Sequence, residues 1–201
     1  MAGMSTPIKV LVFAGSTRAG AWSRQLAHVA AQMARADGAE VTHIELADFE
    51  LPLYNADLEA LGMPVNVVRL KEIFLAHPAL LLCTPEYNGS YPPLLKNTLD
   101  WISRPMPDHP EWRDGLRPFA GKVVGLLSSS PGALGGLRAQ SHLAPLLSIL
   151  QCWVAPKRYA LSKAEEAFDP DGQLAHDPQR AGVRAVVDQV LWAARRLHGT
   201  P

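Results

Sequence analysis

Cysteine is scarce in this chain: Cys83 and Cys152 are the only two. Two thiols so far apart exclude a disulfide framework and a cysteine-rich zinc site. A reducing cytoplasm is therefore the expected compartment. An excess of one charge is also missing. Lysine plus arginine number 19, as do aspartate plus glutamate, so the formal net charge is zero. Surfaces that coat nucleic acid or an anionic membrane carry a basic excess, so neither partner is expected. Long apolar runs are absent. The run at 10–14 stops at Gly15, far short of the roughly 18 apolar residues of a membrane helix. The opening Met1-Ala2-Gly3-Met4-Ser5-Thr6-Pro7 lacks a charged segment followed by an apolar one, so no secretory leader is expected. The seven histidines, His142 among them, form no recognisable ligand set, and no metal is expected. No internal repeat or low-complexity stretch interrupts the chain. What is there is an apolar fraction of 48% against 19% charged residues, the balance of a folded globule. At about 150 residues per domain, the 201 residues are expected to form one domain over 1–201, with an ordered core about 8–197.

The order of patterns along the chain points to an architecture. Residues 8–14 form a β-branched apolar run closed by Gly15-Ser16, the mark of a buried strand. Leu26, Val29, Ala30 and Met33 then recur at helical spacing within 23–36. A second strand is expected at 41–46, and mostly loop at 51–66, where Pro52, Asn55, Gly62 and Pro64 fall. A short helix at 67–76, a strand at 79–83 and a helix at 93–102 follow. Proline at the start of the last is tolerated, because a first-turn N–H has no helical partner. A loop at 104–118, a strand at 122–127, a helix at 137–150 with Pro145 as a possible kink, and a fifth strand at 152–155 come next. Polar loop is expected at 166–178. Val183, Val186, Val187, Val190, Leu191 and Ala194 then stripe a final helix. Five alternations of strand and helix imply a three-layer α/β fold, a parallel sheet covered by helices on both faces. Five strands suit the flavodoxin-like order 2-1-3-4-5.

In such sheets ligands bind beyond the carboxyl ends of the strands, where the strand order reverses. The loops after strands one, three and four are unusual in composition. The first is Gly15-Ser16-Thr17-Arg18-Ala19-Gly20-Ala21-Trp22-Ser23. Its hydroxyls and forked cation suit a phosphate, and it runs into a helix whose free N–H groups favour an anion. An ordinary strand-to-helix turn with Ser23 as N-cap is the bland alternative. It is neither a Walker loop nor the G-x-G-x-x-G fingerprint. The second loop, Thr84-Pro85-Glu86-Tyr87-Asn88-Gly89-Ser90-Tyr91-Pro92-Pro93, contains Asn-Gly, which favours a tight turn. Converging backbone N–H groups there would suit a flat heterocycle; the alternative is a proline-rich connection. The third, Ser128-Ser129-Ser130-Pro131-Gly132-Ala133-Leu134-Gly135-Gly136, has small residues that let a ligand reach the backbone, or simply make a flexible turn.

The run from Pro85 through Asn88-Gly89, Lys96-Asn97 and Asp100-Trp101 to Arg104 closely resembles the signature of the NADPH-dependent FMN reductase family. Bacterial quinone, chromate and azo-dye reductases belong to that family. Gly15-Ser16-Thr17-Arg18 is similar to its phosphate loop, and Ser130-Pro131-Gly132 with Gly135-Gly136 to its third flavin loop. The resemblance spans about 8–197. It implies a flavodoxin-like, FMN-containing oxidoreductase that takes electrons from NADPH or NADH and passes them to a small acceptor: a quinone, a flavin, an azo dye or a metal oxyanion. By the same resemblance, the cofactor-binding residues are Ser16, Thr17, Arg18, Gly20, Ala21, Trp22 and Ser23 for the phosphate. Pro85, Glu86, Tyr87, Asn88, Gly89, Ser90, Ser129 and Ser130 would serve the ring. The chain departs from the family at Ala21, where a serine is common.

No side chain is assigned as a catalytic acid or nucleophile, since the flavin carries the chemistry. Glu86 is expected to anchor its loop or a subunit contact, and Cys83 to be structural. Lys96, Asn97 and Asp100 are expected to pair locally or face a partner. The resemblance implies a homodimer or homotetramer, with Tyr91, Trp101 and Leu146 as candidate interface residues. The loop at 104–118 is expected to cover or shape the substrate site. The alternatives are an electron-carrying flavodoxin, a class usually acidic where this chain is neutral, and an FMN-binding protein without reductase activity.

Overall fold

A computed structural model describes residues 6–199. Residues 1–5, most of the opening considered above, and 200–201 lie outside the described residues. β1 (Lys9–Ala14) sends alternate side chains into two cores: Val10, Val12 and Ala14 into one, Leu11 and Phe13 into the other. A strand apolar on both faces must be covered on both, and helical crossovers between parallel strands do so. α1 (Trp22–Ala36), β2 (Glu40–His43), α2 (Ala56–Ala60) and α3 (Val65–Ala76) follow. Then come β3 (Ala79–Thr84), α4 (Pro93–Ile102), β4 (Val123–Ser129), α5 (Leu137–Ile149), β5 (Trp153–Val154), β6 (Tyr159–Leu161) and α6 (Asp177–His198). All strand pairs are parallel, in the order β2-β1-β3-β4-β5. α1 and α6 cover one face; α3, α4 and α5 cover the other.

The expected five-stranded sheet has a sixth strand. β5 pairs with the start of β4, Trp153 beside Val123, whereas β6 pairs with its end, Tyr159 beside Leu127 and Leu161 beside Ser129. One edge strand is thus split in two, with Pro156 between the halves. Proline cannot donate to a ladder and interrupts it. Three residues are too short for a period-2 signal to register. The 51–66 segment is not all loop either. The Asn55 side chain accepts from the Asp57 N–H at 2.7 Å and starts α2. α5 runs unbroken through Pro145.

Two further expectations are corrected. Trp101 is fully buried and donates its indole N–H to the Pro52 carbonyl at 2.8 Å, so it cannot serve a subunit surface. The 104–118 loop lies at the far end of the sheet from the three candidate loops. α4 runs antiparallel to the strands and delivers the chain to their amino ends, just before β4. There Arg104 pairs with Glu59 of α2 at 2.9 Å, and Trp112 is buried under the Lys71 ammonium of α3.

Lys71 and Lys122 are both buried, and each donates to backbone carbonyls: Lys71 to Ile102 and Arg104, Lys122 to His77. Burial pushes both ammonium groups down to about 8. Between that value and the ordinary 10.5 the unfolded lysine keeps a proton that the folded one has released. The destabilisation is therefore complete below pH 8 and fades as pH rises toward 10.5, by an upper bound on the order of 3 kcal/mol per lysine. Urea midpoints are expected to rise from pH 8 to pH 10; a fall over that window would contradict this.

Candidate functional site

The loops after β1, β3 and β4 meet at one cleft of about 160 Å³. Ser16, Arg18, Ala21, Trp22 and Ser23 form one wall, Pro85, Glu86 and Tyr87 a second, Ser129, Ser130 and Pro131 a third. Ten of the fifteen sequence-selected residues thus line a single space. Pro131 joins them, although the sequence reading had singled it out only as part of a turn. Thr17 faces a neighbouring depression shared with Leu46, Phe49, Leu94 and Thr98. Gly20, Asn88, Gly89 and Ser90 shape the backbone beside the cleft without lining it.

The first wall is a helix N-terminus left open. Ala21, not Ser23, is the N-cap: its backbone is extended (φ −64°, ψ 131°) and it has no side-chain cap. The Arg24 and Gln25 N–H groups both go to the Ala21 carbonyl, so the first-turn amides of Trp22 and Ser23 point outward. The Ala21 amide, by contrast, is used internally, on the Arg18 carbonyl at 3.1 Å. No acidic residue occupies the first turn, so the positive end of the helix dipole faces the cleft uncompensated. The Arg18 guanidinium lies at the rim, 5.5 Å over the Trp22 ring. The Ser16 hydroxyl accepts from the Arg18 N–H at 3.3 Å.

Two hydroxyls in the cleft walls are buried without a partner among the described residues, Ser23 Oγ and Ser129 Oγ. An unsatisfied buried hydroxyl costs about 1–3 kcal/mol, and native structures keep few of them. Both residues line the cleft, and neither hydroxyl is committed to a protein partner. An anionic, oxygen-rich group fits the first, and the polar edge of a ring fits the second. The donor set therefore suits a flavin mononucleotide.

The second wall is a hairpin. Tyr87 and Ser90 exchange both backbone bonds, at 2.9 and 3.0 Å, across Asn88 (φ 50°) and Gly89 (φ 78°). Two consecutive positive φ angles define a type I′ turn, the one Asn-Gly is suited to. This pairing uses the Tyr87 and Ser90 amides, so the loop has fewer free donors than its sequence suggests. α5 holds the hairpin in place. The buried Glu86 carboxylate accepts from Arg138 Nε at 2.7 Å and from the Arg138 and Ala139 amides at 3.1 and 3.4 Å. Ser90 Oγ and His142 Nδ1 are 3.1 Å apart. Glu86 is thus an anchor of its loop, and Arg138 is a site-forming residue that sequence reasoning missed. Lys96 and Asp100 pair at 2.7 Å, and Asn97 bonds the Tyr54 amide and the Pro52 carbonyl, so these side chains act locally.

The third wall is tied to β6. Gln140 Nε2 donates to Ser128 Oγ and to the Tyr159 carbonyl, both at 2.7 Å, and Ser128 Oγ donates to the Gly135 carbonyl at 2.7 Å. The Ser130 amide bonds the Leu161 carbonyl at 3.1 Å. The turn is therefore clamped, not flexible. Cys83 stands below the cleft in β3, fully buried, its thiol pushed far up by that burial, and takes no part in the site. Burial likewise pushes Cys152 up to about 12. Among the described residues no group of three or more His, Cys, Asp or Glu could hold a metal ion.

A parallel sheet of this order, with its loops converging beyond the carboxyl ends of β1, β3 and β4, defines a flavodoxin-like protein. The model of the NADPH-dependent FMN reductase family matches residues 8–166, and the chain belongs to that family. It is 40% identical to an NAD(P)H-dependent FMN reductase of Pseudomonas aeruginosa over 198 residues, 98% of this chain and all of the relative. It is 35% identical to a quinone reductase of Pseudomonas putida over 188 residues, 92% of this chain and 94% of the relative. A solved flavoenzyme NAD(P)H:(acceptor) oxidoreductase of Paracoccus denitrificans superposes with a TM-score of 0.80 at 29% identity, covering 96% of this chain and all of that one.

Proposed function

We propose that the protein is an FMN-dependent NAD(P)H oxidoreductase acting on a small acceptor of the quinone, flavin, azo-dye or metal-oxyanion kind. The observation that carries this reading is the pair of buried, unpartnered hydroxyls, Ser23 and Ser129, in a cleft headed by an uncapped helix N-terminus. Bound FMN supplies the two-electron redox chemistry that no side chain here offers. The chain's own residues bind and orient. Ser16, Arg18, Ser23 and the first-turn amides of α1 hold the phosphate, with Thr17, Gly20, Ala21 and Trp22 shaping that loop. Pro85 to Ser90, with Ser129 and Ser130, hold the ring, and their fixed backbone dipoles favour negative charge there without reorganising. One domain over the whole chain, a cytoplasmic setting and a homodimer or homotetramer without nucleic-acid or membrane partners complete the reading. It is consistent that no helix among the described residues is long and apolar enough to cross a membrane.

The test is a visible spectrum of the protein after incubation with FMN and desalting, repeated anaerobically after adding NADPH or NADH. A retained flavin that bleaches is expected. A retained flavin that neither nicotinamide bleaches would indicate an electron carrier, and a colourless protein would overturn the reading.

Two substitutions test the phosphate assignment. Ser23 Oγ has no protein partner to lose, so Ser23→Ala is expected to leave the apo-protein at least as stable, with a gain of up to about 1–3 kcal/mol. It is expected to weaken FMN binding about tenfold or more, because a hydrogen bond to a charged group is worth roughly 1.5–3 kcal/mol. Ala21→Ser adds a hydroxyl at the buried N-cap and is expected to tighten FMN binding by about tenfold. Fluorescence titration of FMN reads both, and equal affinities in all three proteins would remove these positions from the site.

A further inference from the structure

Beside the cofactor cleft lies a second depression, of about 300 Å³. Thr17 of the phosphate loop stands at its edge. Leu46, Phe49 and Leu51, which follow β2, supply one wall, and Leu94 of α4 supplies the other. It shares no lining residue with the ring-side loops at 85–90 and 129–131. A group held there is off the flavin ring, beside the phosphate end, so it is not the reacting part of a substrate. A quinone or an azo bond must meet the ring itself. A flavin acceptor ends in a phosphate, which apolar walls do not suit. The nicotinamide donor has a large non-reacting half that ends in a flat base, joined through a diphosphate.

We propose that this depression takes the adenosine half of the nicotinamide donor, and that Glu50 makes the enzyme favour NADH over NADPH; this rests on the redox reading above. Apolar walls with a few polar groups suit the base and its ribose. α4 opens at the edge of the depression, with Leu94 in its first turn. That turn has no side-chain cap and no acidic residue, so the helix dipole there favours the donor's diphosphate. Glu50 lines the depression and is exposed. It has no ion pair among the described residues, whereas Glu45, just before it, is committed to Arg24 at 2.8 Å. In dinucleotide-binding α/β folds a carboxylate near the phosphate turn accepts from the ribose 2′-hydroxyl of NADH, and an arginine takes the 2′-phosphate of NADPH. An unpaired carboxylate accepts from the ribose diol and repels a 2′-phosphate. The neighbouring cation, Arg69, lies 4.8 Å over the Phe49 ring, donates to Asn66 at 2.9 Å, and does not line the depression.

Calorimetric titration of the FMN-loaded full-length protein with ADP-ribose and with 2′-phospho-ADP-ribose tests it. ADP-ribose is expected to bind about tenfold more tightly than its 2′-phosphate, the factor that one hydrogen bond to a charged group supplies. Glu50→Gln is expected to bring the two probes within about twofold of each other, and Glu50→Lys to reverse their order. Ala47→Phe is a change at an exposed position that fills the depression. It is expected to raise the NADH concentration for half-maximal flavin bleaching about tenfold without changing the limiting rate, the mark of lost binding remote from the reacting atoms. No binding of either probe, equal affinities in the wild type, or no effect of Ala47→Phe overturns the proposal. So does a 2′-phosphate preference that Arg69→Gln removes, which would make the depression an NADPH site. The calorimetry involves no turnover, so failure of the redox reading, a retained flavin that neither nicotinamide bleaches, is seen separately. Retention of the flavin spectrum in each variant shows that it is folded.

Discussion

Gly135→Ala is expected to destabilise the protein by about 2–4 kcal/mol and to abolish tight flavin binding. Gly135 has φ +58°, and a Cβ there would lie 2.6 Å from the backbone at Ala160, Leu161 and Ser162. Those atoms belong to β6 and its exit, so no side-chain rotation relieves the clash. Overpacking costs about 1–3 kcal/mol, and the left-handed backbone adds about 1 kcal/mol. Gly172→Ala is the control: φ is +75° with nothing within 4 Å, so only the backbone cost of about 1 kcal/mol is expected. The difference matters to function because β6 clamps the turn that carries Ser129 and Ser130. Urea denaturation and FMN titration of the two variants should separate widely. Equal stabilities would show that β6 gives way cheaply and that its contact with Gly135 is not tight.

Lys71→Ala is expected to cost about 3 kcal/mol, although a buried charge is removed. Three effects compete. Relief of the desolvated ammonium favours the variant. Loss of the long stem under Trp112 leaves a cavity, which for comparable side chains costs about 2–5 kcal/mol. The Ile102 and Arg104 carbonyls, 2.7 and 2.6 Å from Nζ, lose their donor, at about 1–3 kcal/mol for each that stays dry. The last two outweigh the first. Lys71→Met keeps the volume and removes the charge, so its cost should be near 1 kcal/mol, and the pH 8–10 stability rise should shrink in it. Because Lys71 lies at the amino ends of the strands, FMN affinity should be unchanged in both. A loss of affinity equal to that of the Gly135 variant would mean the two ends of the sheet are not independent.

The pairing of these two variants reflects the division of labour along the sheet. One end is built of turns with positive φ, open amides and unpartnered hydroxyls. The other is closed by buried lysines on carbonyls and by the edge-to-face Phe74 and Phe119 rings, although the buried Trp112 indole N–H there also lacks a partner among the described residues. Strain and unsatisfied polar groups at the first end are tolerated because the second end and the two cores hold the sheet.

Local patterns made much of this legible from the sequence. Alternating and helical spacings marked the strands and helices, because side-chain direction in each element repeats every 2 or 3.6 residues. The helix at Pro93–Ile102 and the turn at Asn88-Gly89 are where the sequence placed them. The order of loops identified which strand ends converge, since parallel crossovers leave successive strand ends on one edge. The family signature named the cofactor. Tertiary structure alone decided what couples residues distant in the chain. Glu86 meets Arg138, Gln140 joins Ser128 to Tyr159, and Lys71 reaches Arg104. It also sent the 104–118 loop to the end of the sheet away from the site, and split one edge strand into β5 and β6. No spacing within one element carries such information, because these contacts depend on how elements pack, and packing is a property of the whole chain.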